Sequence, residues 1–415
     1  MNQRSPLSTL ATADSVDNVV VFVSDALRFD FLPESVRELG VTAKAIAPST
    51  FTASGLPSLL TGQYPATHKV WMFDDQLRER PPLLREDGVD VGFDAEGVWI
   101  KLPSAEKPPL KIHHVKTESK LADVASPFVH VVHDIGPHAP YGFENDVFDS
   151  TKEYFRSYER DRPALVELYR QDCRNSAERF RAMYDQLVDR GLLEDTLVVF
   201  TSDHGQSLGE WSNGGRFGHG HPLCPENVEI PVVFMGAGLP EGETYPGLVS
   251  GTDVVPTALS AQGRRVPDDA DGLDLWEGVP TPDRKVRSDV WQHLEVGARG
   301  YATDVSVYAA TSAWDDTGGY VFHRHSTAER LAATFYDNVF RGYGPAWRHN
   351  ATLGKAVALF NLMVAESLTY RTPEFSEAEA RRAVPDEFEE AAHEFADASL
   401  SGDQESQLRD LGYLQ

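Results

Sequence analysis

Four short runs of β-branched and aromatic residues constrain the fold of this chain more than any other feature. Asn18–Ser24 reads Asn-Val-Val-Val-Phe-Val-Ser and runs into Asp25. Residues 128–132 run into His133-Asp134, Thr196–Thr201 runs into Ser202-Asp203-His204-Gly205, and 230–235 stops at Gly236. Runs that are apolar on both faces belong to central strands of a parallel sheet with helices on either side. Helical text lies between them: 164–190 carries Leu165, Leu168, Tyr169, Phe180, Met183, Tyr184 and Leu187 among many charges, and Gly191 closes it. This alternation predicts right-handed crossovers and an α/β, doubly wound, mostly parallel sheet.

After Gly236 the text changes. Residues 252–262 predict one more helix and 264–274 a Pro/Asp/Gly-rich loop. The strand-like stretches 305–311 and 319–324 then read as a hairpin. Helices are expected at 356–368 and 376–400, the second very acidic, with that acid on a solvated face. The expected division is a catalytic domain at 15–297 and a small C-terminal α+β subdomain at 298–415.

The formal charge is −26, Arg outnumbers Lys, and acids are spread through every region. Dispersed acid reads as a halophilic surface, because high salt screens the self-repulsion. The same sign disfavours a nucleic-acid partner. No apolar run approaches the roughly 20 residues of a membrane span, and the first residues lack the apolar core of a secretory signal. Cys173 and Cys224 are expected as free thiols of a cytoplasmic protein.

The polar residues at the strand ends carry the chemistry. Open α/β sheets build their sites at the carboxyl edge, and here three runs deliver Asp25, His133-Asp134 and Asp203-His204 to that edge. Asp134 and His138 are separated by Ile-Gly-Pro, which requires a loop that curls back. His219 and His221 sit in the Gly-rich stretch Phe-Gly-His-Gly-His-Pro. Asp with neutral His suits zinc and similar divalent ions, whereas calcium or magnesium would weight the carboxylates. The segment 48–62, Pro-Ser-Thr-Phe-Thr-Ala-Ser-Gly-Leu-Pro-Ser-Leu-Leu-Thr-Gly, adds hydroxyls at a helix start. Either Thr50 or Thr52 could cap that helix, whose N-terminus attracts phosphate or sulfate. A metal-activated threonine is then a candidate nucleophile.

In order along the chain, these motifs resemble the alkaline phosphatase–sulfatase superfamily. The matching text is Val19-Val-Val-Phe-Val-Ser-Asp25, Thr52 with Pro57-Ser-Leu-Leu-Thr-Gly62, His133-Asp-Ile-Gly-Pro-His138, Ser202-Asp203-His-Gly205 and Gly218-His-Gly220. The resemblance implies a three-layer α/β/α sandwich and a small-molecule phosphate or sulfate ester as substrate. By position it implies that Asp25, Thr52, Asp203 and His204 hold one divalent ion, with Thr52 as nucleophile. His138 would be the active-site histidine and His219 a further ligand or leaving-group contact, and the two together, with Asp134, would form a second metal site. Arg28 would hold the anion or pair with Asp30, Lys101 would be a substrate lysine, and His68 and His221 would be structural.

One departure matters. Formylglycine-dependent sulfatases carry Cys or Ser followed by x-Pro-x-Arg, where this chain has Thr52-Ala-Ser-Gly-Leu. Threonine there is similar to nucleotide pyrophosphatase/phosphodiesterases, phosphonate hydrolases and phosphoethanolamine transferases. The expectation is therefore hydrolysis of a phosphate mono- or diester through a covalent Thr52 intermediate, with one or two Zn2+ or Mn2+ ions. The alternatives are a sulfatase without formylglycine that uses Ca2+ or Mg2+, a soluble phosphoethanolamine-type transferase, and a binding protein that only holds metal.

Overall fold

Asn18–Ser24 (β1) is buried along its whole length at the centre of an eight-stranded sheet. A computed structural model of the chain describes residues 4–95, 97, 102–142, 151–157, 161–298, 301–340, 342–389 and 393–394. Val41–Ile46 (β2), Asp90–Asp94 (β3), Phe128–Asp134 (β4), Thr196–Thr201 (β5) and Glu229–Gly236 (β6) complete its main body, in the order β2-β6-β5-β1-β4-β3. Two short strands, Glu243–Thr244 and Val249–Ser250, add to β2. β1 pairs in parallel with both β4 and β5, and β6 runs antiparallel to its neighbours. The mostly parallel sheet expected from the sequence is therefore present, and Ser24 stands level with Asp134 as Val23 does with Thr201.

Helices Thr52–Thr61 (α1), Arg162–Asp189 (α2) and Val254–Ala261 (α3) cover the two faces. Side chains alternate along β1. Val19, Val21 and Val23 pack with Leu56, Leu59 and Leu60 of α1 and Val254, Val255 and Ala258 of α3. Val20 and Phe22 pack with Leu165, Tyr169, Phe180 and Leu187 of α2. Each such side chain contributes about 1.5–3 kcal/mol by leaving water, so strand parity decides which helix a residue meets.

A second sheet follows, antiparallel and four-stranded: Val286–Ala298 (β7), Tyr301–Trp314 (β8), Gly318–His323 (β9) and Ser367–Arg371 (β10). It starts at Val286, inside the stretch assigned above to the catalytic domain, so a boundary at 297 would cut its first hairpin. The turn after β8 is held by Asp315, whose carboxylate accepts from the amides of Thr317 and Gly318. Helices Thr327–Phe340 (α4) and Leu353–Val364 (α5) pack beside this sheet. The helix expected at 356–368 stops early, because Leu368 and Tyr370 alternate inward with exposed Thr369 and Arg371 as a strand requires. The helix expected at 376–400 is seen only as Glu377–Ala383, opened by a Ser376/Glu379 capping box. Pro385 disfavours helical backbone at Val384, and much of the rest lies outside the described residues. Both cysteines are buried free thiols. Among the described residues no helix is long and apolar enough to cross a membrane.

Two buried histidines give the fold an acid-sensitive core. His68 Nε2 meets Ser58 Oγ at 2.9 Å, while its Nδ1 accepts from the Val70 amide at 3.0 Å, so the ring is held neutral. His113 Nδ1 faces the Pro109 carbonyl, and its Nε2 is buried without a hydrogen-bond partner among the described residues. Burial pushes both rings down to about 3. An unfolded histidine takes up its proton near pH 6.5, so their contribution is intact above that pH and is lost between about 6.5 and 3. Each should cost about 2 kcal/mol by pH 5. Denaturant titrations at pH 7 and 5 should show this fall, and His68→Gln should flatten it. An equally steep fall in that variant would assign the loss to other groups.

Candidate active site

The carboxyl ends of β4, β1 and β5 lie side by side, and the chain leaves each in a tight loop. Asp25 follows β1, and its amide donates to the Asp134 carbonyl at 3.0 Å. Gly136 (φ +55°) passes so close that a Cβ there would sit 2.2 Å from the Asp25 carbonyl oxygen. Asp203 follows β5 and accepts from the amides of Ala26 at 3.3 Å and His204 at 3.0 Å. Asp25, His133 and Asp203 thus bring one ligand-type atom each to within 4.8 Å of the others, all fully buried. His204 Nε2 joins them, 3.6 Å from a carboxylate oxygen of Asp25 and 3.6 Å from one of Asp203.

Thr52 faces this cluster. It is the first residue of α1, its N-cap is Phe51, and no side chain caps the helix. The expected capping role is therefore corrected: Thr50 Oγ1 instead donates to the Gly220 carbonyl at 2.6 Å. Freed from capping, the Thr52 hydroxyl lies 3.1 Å from His204 Nε2. The His204 Nδ1–H donates to the Gly205 carbonyl at 2.8 Å, which assigns the lone pair to Nε2. The positive end of α1 also favours an anion at this point.

A second histidine pair closes the site. His138 Nδ1 meets the Ala139 carbonyl at 2.7 Å and His219 Nδ1 meets the Thr50 carbonyl at 3.2 Å. Both rings therefore carry Nδ1–H, and their Nε2 lone pairs face one another at 3.1 Å. Two lone pairs at that distance require a shared proton or cation. The His219 ring also stacks on His204, with centroids 4.3 Å apart.

The electrostatics separate the two carboxylates. Burial by itself would raise Asp25, but His138, His133 and His204 outweigh it and hold its pKa below the ordinary value. Asp203 is pushed up, first by burial and then by the charge of Asp25. Burial works against protonation of His133, yet the hydrogen bond and charge of Asp25 raise it. Asp203 Oδ2 is buried without a hydrogen-bond partner among the described residues.

Asp134 and Arg28 are corrections. Both Asp134 oxygens are engaged by Arg179 (2.5 and 2.7 Å), and one also accepts from Ser176 at 2.7 Å. Successive side chains of a strand point to opposite faces, so Asp134 turns to α2 while His133, which the sequence reading did not name as a ligand, turns to the cluster. Arg28 is held by Asp30 at 2.8 and 2.7 Å and by Glu210 at 2.6 Å, the ion-pair alternative to anion binding. His68 and His221 are structural: His221 pairs with Asp337 at 2.5 Å and Arg216 at 2.9 Å. Lys101 lies outside the described residues.

A family model described as Sulfatase matches residues 116–263. Over 411 residues, 99% of either chain, the sequence is 45% identical to the low-salt glycan biosynthesis sulfotransferase Agl7 of Haloferax volcanii. This chain belongs to the alkaline phosphatase-like sulfatase superfamily. Its fold is similar to that of the phosphonate monoester hydrolase SpPMH from Silicibacter pomeroyi, with TM-score 0.55 and 16% identity over 74% of this chain and 87% of that one. It is likewise similar to BT1596, a 2-O GAG sulfatase, with TM-score 0.55 and 12% identity over 78% of this chain and 89% of that one. Members of the superfamily act on phosphate or sulfate esters and use divalent metals. The residues here fit such an ion: two carboxylates and a histidine converge in a fully buried site, and a cation among them would let both carboxylates ionise.

Proposed function

We propose that this chain is a group-transfer enzyme whose nucleophile is the Thr52 hydroxyl, moving a sulfuryl group from a sulfate ester to a hydroxyl of a glycan. The contact that carries the reading is Thr52 Oγ1 against His204 Nε2, at a helix N-terminus facing Asp25, His133 and Asp203. Thr52 Oγ1 attacks the sulfur, its proton passes to His204 Nε2, and the bond from sulfur to the donor oxygen breaks. The departing oxygen takes the proton shared by His138 and His219. In the second half the acceptor hydroxyl attacks the sulfated Thr52 and gives its proton to the His138/His219 pair, and His204 returns the first proton to Thr52. Asp25, His133 and Asp203 would hold the divalent ion, leaving the His204 Nε2 lone pair to take the proton. Such an ion lowers the pKa of a hydroxyl and polarises an ester oxygen. The choice of sulfuryl group and glycan is supported by the Haloferax volcanii relative, since a threonine nucleophile suits phosphate equally.

The test is to offer p-nitrophenyl sulfate and p-nitrophenyl phosphate with and without methyl glycosides, and to look for the sulfated glycoside by mass spectrometry. Sulfated glycoside formed from the sulfate ester is expected. Cleavage of the phosphate ester alone, with water as the only acceptor, would overturn the proposal. It would favour the second reading, phosphate-ester hydrolysis, which the facing His138 and His219 nitrogens support as a place for another ion.

A further inference from the structure

Next to the catalytic cluster, towards the second sheet, lies a cavity lined by Phe51, Arg216, His219, Gln292, Asp337 and Tyr343, among others. His219 belongs to the pair facing the catalytic cluster, so whatever fills the cavity touches that pair. The walls come from separate parts of the fold: Phe51 precedes α1, Gln292 is on β7 and Asp337 is on α4.

Arg216 is only 5% exposed. Its Nη2 donates to Asp337 at 3.1 Å and lies 2.9 Å from His221 Nε2, which itself pairs with Asp337, whereas Nε and Nη1 are buried with no hydrogen-bond partner among the described residues. Gln292 is 6% exposed, and its Oε1 is in the same condition. A buried donor or acceptor left unmade costs about 1–3 kcal/mol, so two such side chains around one cavity point to a ligand that completes them. Gln292 rests over Gly220, where a Cβ would meet its amide at 2.7 Å.

The atoms specify the ligand. Arg216 offers N–H groups and Gln292 offers an oxygen, so the ligand must accept at one point and donate at another. A hydroxyl does both. A second anionic group would satisfy only the arginine and would meet the Asp337 carboxylate bonded to it. Phe51 and Tyr343 add aromatic surface for the C–H face of a ring.

We infer that this cavity is the subsite for a sugar ring, with Arg216 and Gln292 as the residues that read its hydroxyls. The inference rests on the group-transfer reading above and names where that substrate's organic part is held. The catalytic groups come from the parallel sheet, and part of the specificity wall comes from the antiparallel one.

The test is binding of methyl α-glucoside, methyl α-mannoside and methyl α-galactoside to the full chain by saturation-transfer NMR, with inorganic sulfate as an anion control. At least one glycoside should bind, and Gln292→Leu and Arg216→Lys should each raise its Kd about tenfold or more. Thr52→Ala should bind it as the unaltered chain does. No glycoside binding, or a Kd in both variants equal to that of the unaltered chain, would overturn the subsite. So would sulfate binding that Arg216→Lys abolishes while glycosides do not compete. If the glycoside binds but Thr52→Ala still turns over esters, the subsite stands and the nucleophile assignment fails.

Discussion

Thr52→Ala is expected to lower ester turnover by about 10⁴-fold or more, in the range seen when a covalent nucleophile is removed from a hydrolase. The effect is large because the neighbouring hydroxyls are engaged elsewhere. Ser54 turns away, its Oγ 2.7 Å from Ser49 Oγ and 3.2 Å from the Phe51 carbonyl. Thr50 is committed to Gly220 at 2.6 Å. The structural cost is small, since alanine is a good helix former at the start of α1 and the change removes only a hydroxyl and a methyl group. A loss of about 1–2 kcal/mol is expected. The variant should therefore be folded, metal-competent and inactive. Comparing its single-turnover trace with that of the unaltered chain separates the possibilities. The unaltered chain should accumulate a modified Thr52-containing peptide, visible by mass spectrometry after acid quench, and the variant should accumulate none. A burst of product from Thr52→Ala would mean that water attacks directly and that threonine only orients it.

Much of this site was legible in the sequence because chain order and strand grammar coincide. Asp25 and Asp203-His204 each follow an uninterrupted β-branched run, so the strand end, the loop and the ligand-type residue are adjacent in the text. His138 and His219 could be placed by the glycines and prolines around them. Parity carried information that motif reading overlooked. Val129 and Val131 point to the α1 side of the sheet with Val19, Val21 and Val23, and continuing that alternation puts His133 and Asp25 on the side of Thr52. Asp134 falls on the other face, where Ser176 and Arg179 of α2 await it. An acid at a strand end looked like a ligand, and only its parity said otherwise. Arg28 could not be settled, because Glu210, which competes for it with any anion, is distant in sequence and reaches it through a loop. Gln292 was beyond reach for a related reason: it is distant in sequence from Arg216 and His219, and only the fold brings them to one cavity.

Asp203→Asn should reverse the way metal and stability are coupled. Without an ion, Asp25 and Asp203 are two buried carboxylates with ligand-type atoms within 4.8 Å of each other and of His133, and each disfavours ionisation of the other. Asparagine keeps an acceptor for the amides of Ala26 and His204 and removes one charge. In chelator the variant should accordingly be more stable than the unaltered chain, by about 1 kcal/mol. With metal the order should invert. An ion that binds only the folded chain stabilises it by RT ln(1 + [L]/Kd), about 2.7 kcal/mol at a hundredfold excess over Kd. Loss of a direct carboxylate ligand should weaken binding by more than the 10–100-fold typical of an outer-shell substitution. Denaturant midpoints of both proteins in chelator and in zinc, manganese or calcium, read beside elemental analysis, give the four values needed. Asp134→Asn provides the contrast. It weakens a salt bridge to Arg179 on the α2 face and should lower stability equally with and without metal. If Asp203→Asn behaves in that same metal-independent way, the cluster is a structural ion-pair network and the metal assignment is wrong.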